Sequence, residues 1–353
     1  MVNNTENEIP LVSVIMANYN TPKEYLEAAI DSVLQQTYCN FEFIIVDDGS
    51  TNDSISVIES YSDDRIILIK NEKNFGLTRS LNIALSRCNG EYIARMDSDD
   101  ISFPQRFEEQ VKYLQNHENV IVCGTGVECI GAWEKYRSQK IYCYSIDNQE
   151  EYKVNLLFAN SPILFHPSAM FNRKLMLMYN IKYDEKYSTA MDYKMWVSCV
   201  QVADCKILPE ILLYYRIHEK SITVEKREEQ NLCRNKIIAE QLERLHLRAT
   251  DSVFRYHNTL AFNTKSYDPN IKGWIRQLLE SNKTYKIYDE KIFKSILWEK
   301  WAKISYYGIL NEKSFLTKIK ILLNCTIQNY PRLVRIALSK WKNKKKKMQL
   351  QMI

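Results

Sequence analysis

Glycine is scarce in this 353-residue chain: there are eight, and the turn after the first β-branched run reads Asn18-Tyr-Asn20. A Gly-rich, basic phosphate loop is therefore missing from the place where a doubly wound nucleotidyltransferase would carry one. No stretch approaches the ~18 uninterrupted apolar residues that a membrane-spanning helix requires. The nine cysteines, at 39, 88, 123, 129, 143, 199, 205, 233 and 325, are odd in number and include no CxxC pair. That pattern supports neither a disulfide framework nor a zinc ribbon, and it fits small core residues in a reducing compartment. Residues 1–8 lack the basic start and apolar run of a signal peptide, so a cytoplasmic chain is the expectation. Acidic residues are absent from 313 to 353, which hold eleven Lys and Arg, so the net charge of +5 is unevenly placed.

What is present describes a folded chain. Hydrophobic residues make up 45% and charged residues 26%, the balance of a globular protein with a sizeable core, and the length predicts about two domains. Leu11-Val-Ser-Val-Ile-Met16, Phe41-Glu-Phe-Ile-Ile-Val46, Ile66-Ile-Leu-Ile69 and Tyr92-Ile-Ala-Arg-Met96 read as strands. Between them, helical spacing covers 23–36, 53–61 and 77–87, with Thr21 expected as the cap of the first helix and Pro22 in its first turn. This alternation predicts right-handed crossovers and a mostly parallel, doubly wound α/β sheet, whose ligands bind beyond the carboxyl ends of the strands. The polar clusters fall at those ends: Asn18 and Tyr19, then Asp47 and Asp48, then Asp97, Asp99 and Asp100. Strand-like and helical pieces mix from 120 to 215. Helices with charged outer faces follow, over 228–247, 271–279 and 292–304. The expected domains are 1–224 and 225–353.

Two acidic motifs carry the chemistry. Asp97-Ser-Asp-Asp100 gathers three carboxylates that repel one another unless a cation lies between them, and Mg²⁺ or Mn²⁺ is the natural partner. The same motif also suits a helix N-terminus, with Pro104 and the helical run 105–114 close behind. Asp47-Asp-Gly-Ser50 reads either as ordinary turn chemistry or as an acceptor for a ring N–H or a ribose hydroxyl.

An ordered series of segments resembles the inverting family 2 glycosyltransferases, with their GT-A fold. It begins at Val12-Ser-Val-Ile-Met-Ala-Asn-Tyr-Asn20 and runs through Ser32-Val-Leu-Gln-Gln-Thr37, Phe43-Ile-Ile-Val-Asp-Asp-Gly-Ser-Thr51 and Asn74-Phe-Gly-Leu77. Gly90-Glu-Tyr-Ile-Ala-Arg-Met-Asp-Ser-Asp-Asp100 follows, then Asn160-Ser-Pro-Ile163, His166-Pro-Ser168, Met191-Asp-Tyr-Lys-Met-Trp196 and Tyr215-Arg-Ile-His218. The resemblance covers roughly residues 10 to 220. It implies a nucleotide-base pocket at Ala17, Tyr19 and Asp48, and a diphosphate approach at Arg79. Asp97, Ser98 and Asp99 correspond to the DxD element, with Asp97 toward ribose and metal and Asp99 a direct ligand of Mn²⁺ or Mg²⁺. Asp192 corresponds to the catalytic base, and His218 to a late histidine that reaches the metal or diphosphate. The family commonly has Glu-Asp at 191–192; here Met191 stands in place of the supporting acid.

The implied reaction is transfer of a sugar, with inversion, from a nucleotide-sugar donor of the UDP type to a hydroxyl of a glycan or lipid-linked acceptor, in cell-surface polysaccharide or glycoconjugate synthesis. Met191 keeps a second possibility open, a nucleotide-sugar-binding module without catalysis. His166 is expected to shape the structure or the acceptor side, Trp196 to be core, and His117, His246 and His257 to lie on helix surfaces. The basic, apolar-interleaved segment 315–341 and Lys344–Lys347 suit peripheral contact with an anionic membrane, or a helix packed on its own domain followed by a solvated Lys run. No motif supports nucleic-acid binding.

Overall fold

The computed structural model describes residues 9–131, 140–141, 146–159, 164–218, 226–262 and 267–312, with 314, 316, 318 and 321 beyond them. The chain packs as two compact units, Met1–Gln149 with Pro162–Arg234, and Glu150–Ser161 with Asn235–Ile353. The motif segment 160–163, most of the basic segment 315–341 and all of Lys344–Lys347 lie outside the described residues.

The first unit starts with β1 (Val12–Asn18), β2 (Phe41–Asp47), β3 (Ile66–Lys70) and β4 (Tyr92–Asp97), joined by α1 (Lys23–Leu34), α2 (Ser54–Glu59) and α3 (Leu77–Leu85). All seven β1 residues are buried. A parallel strand covered by helices on both faces needs such a run, so its β-branched sequence reads continuously rather than alternately. The remaining elements are β5 (Ile101–Ser102), α4 (Arg106–Gln115), β6 (Val120–Gly131), β7 (Lys140–Ile141), α5 (Gln149–Leu157), β8 (Met170–Asn172), α6 (Arg173–Met178), α7 (Met191–Cys199) and β9 (Asp204–Ile217). Then come α8 (Arg227–Arg244), α9 (Asp251–Phe262), α10 (Ile271–Tyr285) and α11 (Glu290–Asn311). The α/β class with a helical C-terminal region is as the sequence predicts.

Among the described residues the sheet runs β3-β2-β1-β4-β8-β6-β9-β5, with β7 beside β6. The β3-β2-β1-β4 half is parallel, and its register sets Asn18 opposite Asp47 and Ala17 opposite Asp97, so the polar ends share one rim. β8 joins β4 antiparallel at Ile93 and Phe171 and links it to β6. β9 runs parallel to β6 and antiparallel to β5, where Tyr214 pairs with Ile101. That last pairing returns the chain to the acidic turn.

Val14, Met16, Phe43, Ile45, Met96 and Phe107 lie in the apolar core of the first unit. The second unit encloses its own core, with Phe158, Ile238, Trp274, Phe293 and Trp301 among its members. Of the described cysteines, six are buried and only Cys39 is exposed, as a core role requires.

Two local expectations are overturned. Thr21 does not cap α1: the cap position is Pro22 without a side-chain bond, and Thr21 Oγ1 instead pairs with Ser98 Oγ at 2.7 Å, drawn away by the acidic turn. His257 is not on a helix surface but fully buried. Its ring stacks on Phe158 (4.7 Å between centroids) and its Nε2 lies 2.8 Å from the Leu157 carbonyl.

Burial holds the His257 imidazole down to about 4, with the Lys300 charge acting in the same direction. A folded value below the unfolded one means that stability is present above the ordinary histidine range and is lost as pH falls through it. The unfolding free energy should therefore drop by about 2 kcal/mol between pH 7.5 and pH 5 from this residue alone. In His257→Phe, which keeps the stack, urea denaturation at the two pH values should show a correspondingly smaller difference.

Candidate active site

The rim is built from four turns. After β2, Asp47 is wholly buried: its Oδ1 accepts from Asn18 Nδ2 (2.7 Å) and its Oδ2 from the Ser50 amide (2.9 Å). These bonds fix the first two strand ends to each other. Asp48 reaches the third turn. Its Oδ1 accepts from Asn71 Nδ2 and the Phe75 amide, and its Oδ2 from the Gly76 amide, all at 2.8 Å. Close approach of these turns requires Gly49, which has φ +72° and would place a Cβ 2.5 Å from the Lys73 carbonyl carbon. Arg79 is exposed two residues into α3, with its guanidinium carbon 4.3 Å from the centroid of Phe75. Tyr19 is half exposed (48%), while Ala17 beneath it is buried.

Hydrogen bonds continue along the rim to the acidic turn. Ser50 Oγ accepts from the Asn20 amide (2.9 Å), Asn52 Nδ2 donates to the Thr21 carbonyl (3.0 Å), and Thr21 meets Ser98. Asp97-Ser-Asp-Asp100 does not open a helix. It ends β4 and leads into β5, so the helix-terminus alternative for this motif falls away. The carboxylate oxygens of Asp97, Asp99 and Asp100 lie within 4.8 Å of one another. Asp97 pairs with the Nη2 of Arg95, a residue with no exposed surface. Asp100 accepts from the Arg216 amide through Oδ1 (2.7 Å), while its buried Oδ2 has no hydrogen-bond partner among the described residues. His218 brings Nε2 to 2.9 Å from Asp99 Oδ2.

Burial raises the Asp97 carboxyl, against the pull of Arg95, and raises Asp100 well above the ordinary carboxylate range, with Asp99 and Asp97 adding repulsion. Arg106, the first residue of α4 and fully buried, gives one Nη to the Pro167 carbonyl. Desolvation pulls its guanidinium down to about 9, although Asp100 acts to hold the charge. Three crowded carboxylates, one with a buried oxygen facing no partner, fit a hard divalent cation with oxygen ligands.

Asp192 enters from α7, one residue after the helix begins, behind Ala190 at φ +55°. Its Oδ1 accepts from the Tyr193 amide at 2.7 Å. Burial raises its carboxyl, and Asp97 and Arg95 are near enough for their charges to act on it. His166 is buried, with Nε2 2.6 Å from the Tyr183 hydroxyl. Burial and the Arg95 charge keep its pKa well below the ordinary value, so the imidazole is neutral. Trp196 is core, stacked on Phe171 and edge-on to His166.

Residues 13–177 match the family model for glycosyl transferase family 2. An uncharacterized glycosyltransferase from Haemophilus influenzae is 30% identical over 316 residues, which are 87% of this chain and 90% of that one. The MJ1057 glycosyltransferase of Methanocaldococcus jannaschii is 36% identical over 64% of this chain and 78% of its own. The chain belongs to glycosyl transferase family 2. The O-antigen biosynthesis glycosyltransferase WbnJ of Escherichia coli is 32% identical over 60% of this chain and 82% of its own. Among solved structures, S. aureus TarS 1–349 in complex with UDP-GlcNAc superimposes with a TM-score of 0.55 at 17% identity, over 93% of this chain and 91% of that one. The mannosyltransferase PcManGT of Pyrobaculum calidifontis, in complex with GDP-Man and Mn²⁺, gives 0.51 at 16% identity over 92% and 88%. These likenesses establish the GT-A type of fold for this family 2 chain.

The structure thus brings Asp97, Asp99, His218 and Asp192 to one side of the rim, and Asp48 and Arg79 to the Asn71–Gly76 turn. Reasoning from the sequence missed Arg95, Arg106, Arg216, Asn71 and Tyr183. For Arg95 a signal existed: an arginine inside an otherwise apolar strand, two residues before an acid, must either face solvent or pair beneath it. Asp48 has a structural part of its own, since it holds the Asn71–Gly76 turn in place. Asp48→Asn would set an amide N–H₂ against converging donors. It should lower the unfolding free energy by about 1–3 kcal/mol without any nucleotide present, as measured by denaturant titration.

Proposed function

We propose that this family 2 glycosyltransferase is a metal-dependent, inverting enzyme. It moves a sugar from a nucleotide-sugar donor, of the UDP type first, to a hydroxyl on a glycan or lipid-linked acceptor. One observation carries the reading: three carboxylates converge at the carboxyl end of β4 while a fourth, Asp192, is held beside them on a separate helix. The donor complexes of TarS and PcManGT and the O-antigen role of WbnJ support the substrate class.

In this proposal Asp97 and Asp99 hold the cation, with His218 next to Asp99, and the ion's chemistry there is to neutralise the negative charge of a leaving diphosphate. Ala17, Tyr19 and Asp48 line the base pocket, Ser98 stands between the two acids, and Arg79 approaches the diphosphate. Asp192 takes the proton of the acceptor hydroxyl as that oxygen bonds to the anomeric carbon and the bond from that carbon to the diphosphate oxygen breaks. Attack from the opposite side inverts the centre, and no covalent enzyme intermediate forms. Burial assists the base: a carboxyl raised above its ordinary range binds the acceptor proton more strongly in the transition state. We propose further that residues 1–224 form the catalytic domain and 225–353 a helical domain. Peripheral contact with the inner face of a membrane, through the basic segment after 313, is part of the same proposal on sequence grounds.

Asp192→Asn should leave donor affinity nearly unchanged and lower the transfer rate by ~10²–10⁴-fold, read as kcat with saturating donor. Normal turnover would remove Asp192 from the base role. If neither the wild type nor this variant hydrolyses donor without acceptor or transfers to any acceptor, the binding-module reading favoured by Met191 takes its place. Asp99→Ala should weaken nucleotide binding in Mn²⁺ by about tenfold or more while leaving metal-free binding unaltered, as titration calorimetry with and without the ion would show.

A further inference from the structure

One arginine at this rim has no task in the scheme above. Arg216 lies on β9, two residues before His218, and three contacts fix it. Its amide donates to Asp100 Oδ1 (2.7 Å), its Nε donates to the Asp99 carbonyl (2.6 Å), and its guanidinium carbon lies 4.1 Å from the centroid of the Tyr25 ring. With Nε committed and one face on an aromatic ring, the plane of the guanidinium is set. Neither terminal nitrogen has a partner among the described residues, and the side chain is half exposed.

The other two arginines of this region differ in that respect. Arg95 and Arg106 are fully buried, and each spends an Nη on a protein oxygen. Arg216 alone among the three presents an outward fork. A planar fork of N–H donors, oriented in advance beside carboxylates that collect a cation, complements an anion with several oxygens. A cation on the acids would draw the same anion from the other side. Because residues 216 and 218 alternate to the same side of the strand, the fork and the His218 imidazole both stand at Asp99.

We propose that Arg216 is a phosphate-binding residue, its two Nη groups receiving the diphosphate of the donor on the β9 side of the acidic cluster. The proposal rests on the donor reading given above. It differs from a purely structural part for Arg216, in which the side chain would only latch the acidic turn to β9 and Tyr25.

Calorimetric titration of the full chain in Mn²⁺ separates these possibilities, with UDP and GDP as probes, uridine and guanosine followed by saturation-transfer NMR, and Mn²⁺ titrated alone. Arg216→Gln should weaken the diphosphate that the wild type prefers by about tenfold to a hundredfold, while nucleoside and Mn²⁺ binding stay within about twofold. Arg216→Lys keeps the charge without the fork; it should be about threefold to tenfold weaker, and it decides the matter if the glutamine variant does not fold. Unchanged diphosphate affinity in these variants overturns the assignment. A parallel loss of Mn²⁺ alone or of nucleoside overturns it too, since Arg216 would then act only through Asp99. A wild type that binds no nucleoside diphosphate overturns the donor reading, and this inference with it.

Discussion

Asp97, Asp99 and Asp100, with Asp192 acting on them from α7, crowd one end of the sheet, and the charges around them answer to that crowding. Asp97, Asp100 and Asp192 are all raised by burial, and Asp97 and Asp99 repel Asp100 further. Stripping a charge of water costs several kcal/mol even after relaxation, so such a group persists only where opposite charge or hydrogen bonds are built around it. Here that charge comes from below. Arg95 on β4 and Arg106 on α4 are both sealed in the interior, an uncommon state for arginine. With Arg216 they set three guanidiniums around the acidic turn. In the proposed reading, a divalent cation on these acids would add the positive charge that draws in a donor diphosphate.

Much of the scaffold behind this arrangement was legible in the sequence, for reasons that are local. β1, β2 and β4 are buried on both faces, so they appear as unbroken β-branched and aromatic runs, and the helices between them show their period. The placing of the polar clusters at strand ends followed at once. Partners across the chain were not legible. Arg216 meets Asp99 across 117 positions and Thr21 meets Ser98 across 77, and neither spacing leaves a mark in composition or periodicity. Thr21 shows the limit: by local rules it is a helix cap, but a hydroxyl next to the acidic turn outcompetes that use. His257 misled in the same way. Its position in an amphipathic helix gave no sign that Phe158 and Trp274 of the same unit would close over it.

The placing of Asp192 depends on a different kind of support. Helix α7 has only nine residues, too few to hold its own orientation, so tertiary contacts must supply it. Trp196, one turn after Asp192 and on the same face, stacks on Phe171 and meets His166 edge-on. Phe171 pairs with Ile93 in β4, the strand that ends in Asp97. Asp192 and the acidic turn are therefore referred to one strand, and His166, held neutral with Nε2 2.6 Å from the Tyr183 hydroxyl, packs edge-on against Trp196.

The same packing gives Met191 a physical reason. Residue 191 opens α7 and is 92% shielded from solvent (8% exposed), one turn before Met195, which is more deeply buried still. An acid at 191 would add another carboxylate next to Asp192, in a buried position where water cannot repay its desolvation. Methionine fills that space at no electrostatic cost and leaves Asp192 as the sole acid of its helix near the acidic turn. A buried methionine at 191 is thus compatible with the base role proposed for Asp192.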